Sequence, residues 1–167
     1  MAAGSTYTPI ATTTLGSNTA DYTFSSISGS YTDLIVVCSN FTNTTQNTLC
    51  LRFNSDTGSN YSWTTLSAFT SVSSLRTTND SRGVALGGYV EGLSATTPGV
   101  YIGQVMNYSN STTYKTCLGR GSNSANDVES IVGLWRSTAA ITSITVRPSG
   151  GLMKTGTVLS LYGIAAA

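Results

Sequence analysis

The sequence predicts an all-β chain folded as a single sandwich or barrel. Apolar bursts recur about every 10 to 15 residues along the 167-residue chain, and clusters of Gly, Asn, Ser and Asp separate them. Several bursts alternate with period two, the mark of a half-buried strand. The polar remainder is neutral, with 28 Thr and 25 Ser against 9% charged residues, and Thr suits a pleated, half-solvated surface. Low charge with many hydroxyls also describes disordered chains, but those lack regular bursts of β-branched and aromatic residues. A chain of this length makes one domain and buries roughly 70% of its unfolded surface.

The elements follow in order. Strands are expected at Thr6–Leu15, Tyr22–Ile27, Asp33–Ser39, Thr48–Asn54, Tyr61–Ala68, Val84–Val90, Val100–Tyr108, Thr113–Leu118, Val128–Arg136, Ile141–Arg147 and Thr157–Ile164. In Thr48–Asn54, Leu49, Leu51 and Phe53 share one face, and Thr48, Cys50, Arg52 and Asn54 share the other. Leu34–Cys38 is apolar on both faces, which places it centrally or at a subunit contact. Ser28-Gly29-Ser30, Asp56–Asn60 and Pro148–Gly151 read as turns. Gly87-Gly88 and Gly150-Gly151 read as bulges or turns, because no Lys-Ser/Thr pair or helical pattern follows them. Leu66, Phe69, Val72 and Leu75 recur every third residue, a helical spacing, yet the Ser and Thr between them favour extended backbone. That region reads as strand plus loop.

Composition removes several function classes. The chain has no histidine, so Ser-His-Asp and Cys-His nucleophiles and histidine-containing zinc sites cannot be built in the usual way. The only glutamates, Glu91 and Glu129, are poor material for a glycan hydrolase, which needs two carboxylates ~5–9.5 Å apart. Asp56-Thr57-Gly58-Ser59-Asn60 resembles half a calcium loop, but one carboxylate among hydroxyls and amides reads better as a hairpin turn. No catalytic residue, metal or cofactor is expected. Two Lys and six Arg, spread singly for a net charge of +1, form no basic footprint for nucleic acid. A surface this close to neutral gains little from self-repulsion and suits a subunit of an assembly.

Cys38, Cys50 and Cys117 match no metal or redox spacing. They read as small core hydrophobes, with a Cys38–Cys50 disulfide across neighbouring strands as the alternative. The start has neither the basic nor the long apolar region of a signal peptide, and no stretch approaches the ~20 apolar residues of a membrane span. Six Asn-x-Ser/Thr triplets, at Asn40, Asn43, Asn60, Asn79, Asn107 and Asn110, are expected by chance in so Ser- and Thr-rich a chain. Aromatic residues could form a sugar-stacking platform or fill the core. Trp135, in the run IVGLW, reads as core, while Tyr61 and Trp63, beside a polar turn, read as partner contacts.

Taken together, YTDLIVVCSN, LRFNSDTGSNYS, QVMNYSNSTTYKT, GLWRSTAAITSITVRPSGG and GTVLSLYGIAAA resemble a family of bacteriophage virion proteins, over nearly all of Thr8 to Ala165. A departure is Asn54-Ser55-Asp56, where a Gly often separates Asn and Asp. The resemblance implies a jelly-roll-like sandwich of about ten antiparallel strands over residues 8–167, preceded by an arm at 1–7. It implies a capsid decoration protein, homotrimeric on major capsid protein, with no membrane partner and a virion location after assembly in the host cytoplasm. The short chain, starting at its own Met with no room for a fibre shaft, fits that reading. The small, uncharged termini (Ala2, Ala3, Ser5, Tyr7, Ile164 and Ala165) are the expected contacts. The alternative is the receptor-binding tip of a tail fibre, gripping host glycan through Tyr61, Trp63, Asn107 and Tyr108.

Overall fold

The computed structural model describes residues 6–88, 94–123 and 127–165. Twelve strands are present: β1 Tyr7–Thr14, β2 Tyr22–Phe24, β3 Asp33–Phe41, β4 Leu49–Phe53, β5 Tyr61–Ala68, β6 Val72–Asp80, β7 Val84–Gly87, β8 Gly99–Val105, β9 Lys115–Asn123, β10 Asp127–Trp135, β11 Ile144–Pro148 and β12 Val158–Ile164. All pair antiparallel, in an eight-stranded sheet ordered β1-β12-β3-β8-β9-β10-β5-β6 and a four-stranded sheet ordered β2-β11-β4-β7. The chain is therefore an all-β, jelly-roll-like sandwich, and the described residues contain no helix.

The core lies between the sheets and follows from strand alternation. Leu34, Val36 and Cys38 of β3 face Leu49, Leu51 and Phe53 of β4 within one buried cluster, with Ile144 and Val146 of β11 and Leu159 and Leu161 of β12. The opposite parity of β3, Ile35 and Val37, is half-buried on the outer face of the large sheet. This places β3 as a central strand, between β12 and β8.

Glycines set how closely the sheets approach. Gly103 of β8 stands opposite Gly119 of β9, and Gly133 of β10 stands opposite Cys117 of β9. Together they bare a strip of inner-face backbone on which β7 rests. A Cβ on Gly103 would lie 2.6 Å from Leu86, and one on Gly121 would lie 2.2 Å from the Tyr101 ring. Sequence reading places a strand at Thr113–Leu118. The structure carries it to Asn123, since glycine is what this close approach requires.

Three further expectations change. The stretch from Val72 is a full nine-residue strand, β6, formed by pairing with β5; only Phe69–Ser71 turn the chain. Of the strand expected at Val84–Val90, the structure shows Val84–Gly87 and Gly88 follows with φ 75°; residues 89 and 90 lie outside the described residues. Cys38 and Cys50 lie on strands of different sheets rather than on neighbouring strands, and all three thiols are free and buried. Burial pushes each thiol up to about 12, Cys50 in spite of nearby arginines.

Candidate functional site

The outer face of the eight-stranded sheet carries the residues left over once the core is filled. Register lines them into cross-strand rows. One row runs Leu66, Ser130, Arg120, Ile102, Val37 from β5 to β3; the next runs Thr64, Val132, Leu118, Gln104, Ile35. Val72, Ala68, Val128, Ser122 and Val100 form a third. Val72, Leu66, Val128, Val132, Leu118 and Val100 are all exposed, Val128 at 58%. Scattered surface apolar residues mean little, but a contiguous set on one face marks an interaction surface.

The face is shallowly sculpted. A depression of about 280 Å³ opens between Leu66, Ala68, Val72 and Val128. Another of about 230 Å³ lies among Ile35, Ile102, Leu118 and Val132, with Arg120 on its rim. The charge of the face is one-sided. Arg120 sits in its middle and Arg76 near its β6 edge, both exposed. The carboxylate at its end, Asp33 of β3, is occupied: Gln104 Nε2 and the Asn107 N–H each donate to it at 2.8 Å.

The predicted contact residues divide. Ala2, Ala3 and Ser5 lie outside the described residues. Tyr7 is 56% exposed and pairs with Ile164, while the Ala165 N–H donates to the Thr6 carbonyl at 3.2 Å. The first and last described residues thus meet at one corner of the sheet.

Three of the four predicted receptor contacts need correction. Tyr61 and Trp63 are buried, because their parity on β5 is the inward one. Tyr61 stacks on Trp135 with ring centroids 6.3 Å apart, and its hydroxyl donates to the Phe53 carbonyl and accepts from the Phe53 N–H. Trp63 Nε1 donates to Asp80 at 3.1 Å. Tyr108 is buried with its hydroxyl on the Ser28 carbonyl; Asn107 alone is exposed. Aromatics beside a polar turn do not stay at the surface when their strand parity points inward.

The other candidates are structural braces. Asp56 receives Trp135 Nε1 at 2.7 Å, Asn60 Nδ2 at 2.9 Å and the Gly58 N–H at 2.8 Å. Burial alone would raise its carboxyl, but these hydrogen bonds outweigh that and hold it below the ordinary carboxylate range. The turn it anchors carries the chain from β4 in the small sheet to β5 in the large one, so it is a crossover rather than the expected hairpin. Asp80 is likewise held low: burial pushes it up, and Arg82 and Trp63 more than reverse this. Lys115 is buried, its Nζ donating to the carbonyls of Thr113 at 2.7 Å and Thr138 at 3.1 Å; burial lowers its ammonium pKa. Glu129 is buried on the inward side of β10, and Glu91 lies outside the described residues.

No family model and no curated protein sequence matches the chain. Among solved structures, it is similar to a tetrameric galectin from the ball sponge Cinachyrella sp., at TM-score 0.36 and 10% identity over 86% of this chain and 99% of that one. It is also similar to an alginate lyase Aly36B mutant in complex with alginate tetrasaccharide, at TM-score 0.32 and 6% identity over 93% and 79% of the two chains.

The outer sheet face escaped sequence reading, though its signal is visible. Val128 and Val132 alternate with the inward Glu129 and Ile131, and Leu66 and Leu118 take the parity opposite to Trp63 and Cys117. Only the stacking of the two sheets says which parity is outside.

Proposed function

We propose that this protein is a bacteriophage virion structural protein that acts by adhesion rather than catalysis, most specifically as a capsid decoration protein. The observation that carries the reading is the outer face of the eight-stranded sheet, an apolar and hydroxyl-rich surface with two exposed arginines, Arg76 and Arg120. From β3 to β6 it spans six strands, about 25 Å across and about 20 Å along the strands, or roughly 500–600 Å² in projection. That is the order of the ~800 Å² per partner of a standard stable interface. The resemblance of GLWRSTAAIT and LYGI to phage virion proteins supplies the setting. The partner surface that fits is apolar with a carboxylate to meet Arg120, which a coat-protein shell presents in many identical copies. The chain-terminal corner at Tyr7, Ile164 and Ala165 is a second contact element.

The test is copy number per particle, by quantitative mass spectrometry of purified virions against the major capsid protein. Hundreds of copies per particle are expected. A few to a few dozen would move the protein to the tail and overturn the decoration reading.

A further inference from the structure

The two edges of the eight-stranded sheet are built differently. Edge strand β1 contains Pro9, which has no N–H to offer, and its register breaks between Pro9 and Ala11. Both features blunt an edge against pairing with another strand. Edge strand β6 has no proline; its register with β5 shifts only at its far end, between Tyr61 and Trp63, and is continuous from Thr77 to Val72. Of the four-stranded sheet, β7 packs against β5, β8, β9 and β10, and β6 lies one strand beyond that contact, beside β5. Val72 is 73% exposed on one side and Leu75 is 41% exposed on the other. Among the described residues, no backbone group outside β5 bonds to the backbone of Val72–Thr78. A long, bare edge strand is a template for another strand.

We propose that β6 pairs with β6 of a second copy of this chain across a two-fold axis, joining two eight-stranded sheets edge to edge. The strand's own sequence selects this occupant. A two-fold perpendicular to the sheet keeps each residue on its own face, so the axis must pass through a residue. Placed on Arg76, it would set two guanidiniums directly opposite each other, which is destabilising. Placed on Ser74, it would leave Thr77 and Thr78 unpaired. Placed on Leu75, it pairs every residue from Val72 to Thr78. Leu75 then meets Leu75, Ser74 meets Arg76, Ser73 meets Thr77 and Val72 meets Thr78. Past this stretch the strand is already committed: Arg136 Nη2 donates to Asn79 Oδ1 at 2.9 Å, and Asp80 is ion-paired to Arg82.

The arrangement is two-fold, where the resemblance to virion proteins implies a trimer. It makes the outer faces of two sheets continuous, so that a pair of copies would engage a repeating surface at two points. It does not depend on what that surface is, and its failure would leave the decoration reading intact.

The first readout is mass in solution by light scattering at about 100 µM, well above a micromolar Kd. About twice 17.3 kDa is expected; the mass of one chain or of three overturns the proposal. The second readout fixes the register. Under mild oxidation Leu75→Cys cross-links to itself, because residues opposed across an antiparallel pair have Cα atoms about 4.5–5.5 Å apart. Val72→Cys and Thr78→Cys each stay single, and an equimolar mixture of the two cross-links. The native thiols are buried and contribute no background. Self-cross-linking of Val72→Cys as efficient as that of Leu75→Cys overturns the register. Leu75→Lys, at an exposed position, keeps the β-sheet circular dichroism spectrum and runs as a single chain; a variant that stays dimeric sinks the proposal.

Discussion

A Cβ placed on Gly133 of β10 would stand 2.1 Å from Cγ1 of Val84 on β7. The short strand β7 therefore packs directly on the backbone of the large sheet, and this contact sets the spacing of the sandwich at its middle. Gly133→Ala forces the sheets apart or twists Val84 off its rotamer. Overpacking of this kind costs typically 1–3 kcal/mol, and a backbone-to-strand contact belongs at the upper end, about 3 kcal/mol. Urea unfolding measures it. Val84→Ala in the same chain removes the opposing methyls, so the double variant is less destabilised than the sum of the two singles.

Asn54 and Ser55 follow β4 with φ 49° and 56°, and the Asp56 N–H donates to the Phe53 carbonyl at 2.9 Å. Two successive positive φ values make this a mirror-image turn, which favours Asn followed by Gly. Asn54 is well placed, accepting from the Thr142 and Ser143 N–H groups and donating to the Ala140 carbonyl. Ser55 carries a Cβ in the left-handed region with no such compensation. Ser55→Gly stabilises the fold by about 0.5–1 kcal/mol, after the greater entropy of glycine in the unfolded chain is subtracted. For a domain of this size that raises Tm by roughly 1–4 °C.

The buried thiols predict alkaline sensitivity. Each has a folded pKa pushed up to about 12 from 9.0, so below pH 9 its contribution is fully present. Above pH 9 the unfolded chain loses thiol protons that the folded chain retains, and stability falls until the folded thiols also ionise. Raising pH from 8 to 10 removes about 1 kcal/mol per thiol. Lys115, with its ammonium pKa lowered, works the other way and offsets part of the loss near pH 10. Urea midpoints under reducing conditions show the fall, and Cys38→Ala shows a shallower one.

The outer face makes a separate prediction. Val132 lies between Thr64 and Leu118 and is exposed, so Val132→Asp leaves Tm within about 2 °C. Assembly is affected far more, because the carboxylate is buried at the contact and competes for Arg120. Incorporation into particles, read by mass spectrometry, falls at least about tenfold, which corresponds to 1.4 kcal/mol. Wild-type occupancy in this variant would falsify the outer face as the docking surface.

Much of the fold was legible because period-two alternation is a local property. Leu49, Leu51 and Phe53 were placed on one face of a strand from spacing alone, and that is the core face. The expected strand Tyr61–Ala68 has the bounds of β5. The site was much less legible. Tyr61 and Trp63 read as surface residues from the turn beside them, yet their burial depends on partners on other strands, Trp135 for Tyr61 and Asp80 for Trp63.

Alternation, turn chemistry and the lack of histidine determine by themselves that this is a neutral β-chain without the usual proton-moving groups. They decide which residues share a face, because side chains alternate wherever backbone is extended. Which face is buried is a matter of pairing and stacking between distant strands, and only the tertiary structure decides it. The same holds for the strand glycines: Gly121 and Gly133 are tolerated within their strands because Tyr101 of β8 and Val84 of β7 fill the space a Cβ would occupy.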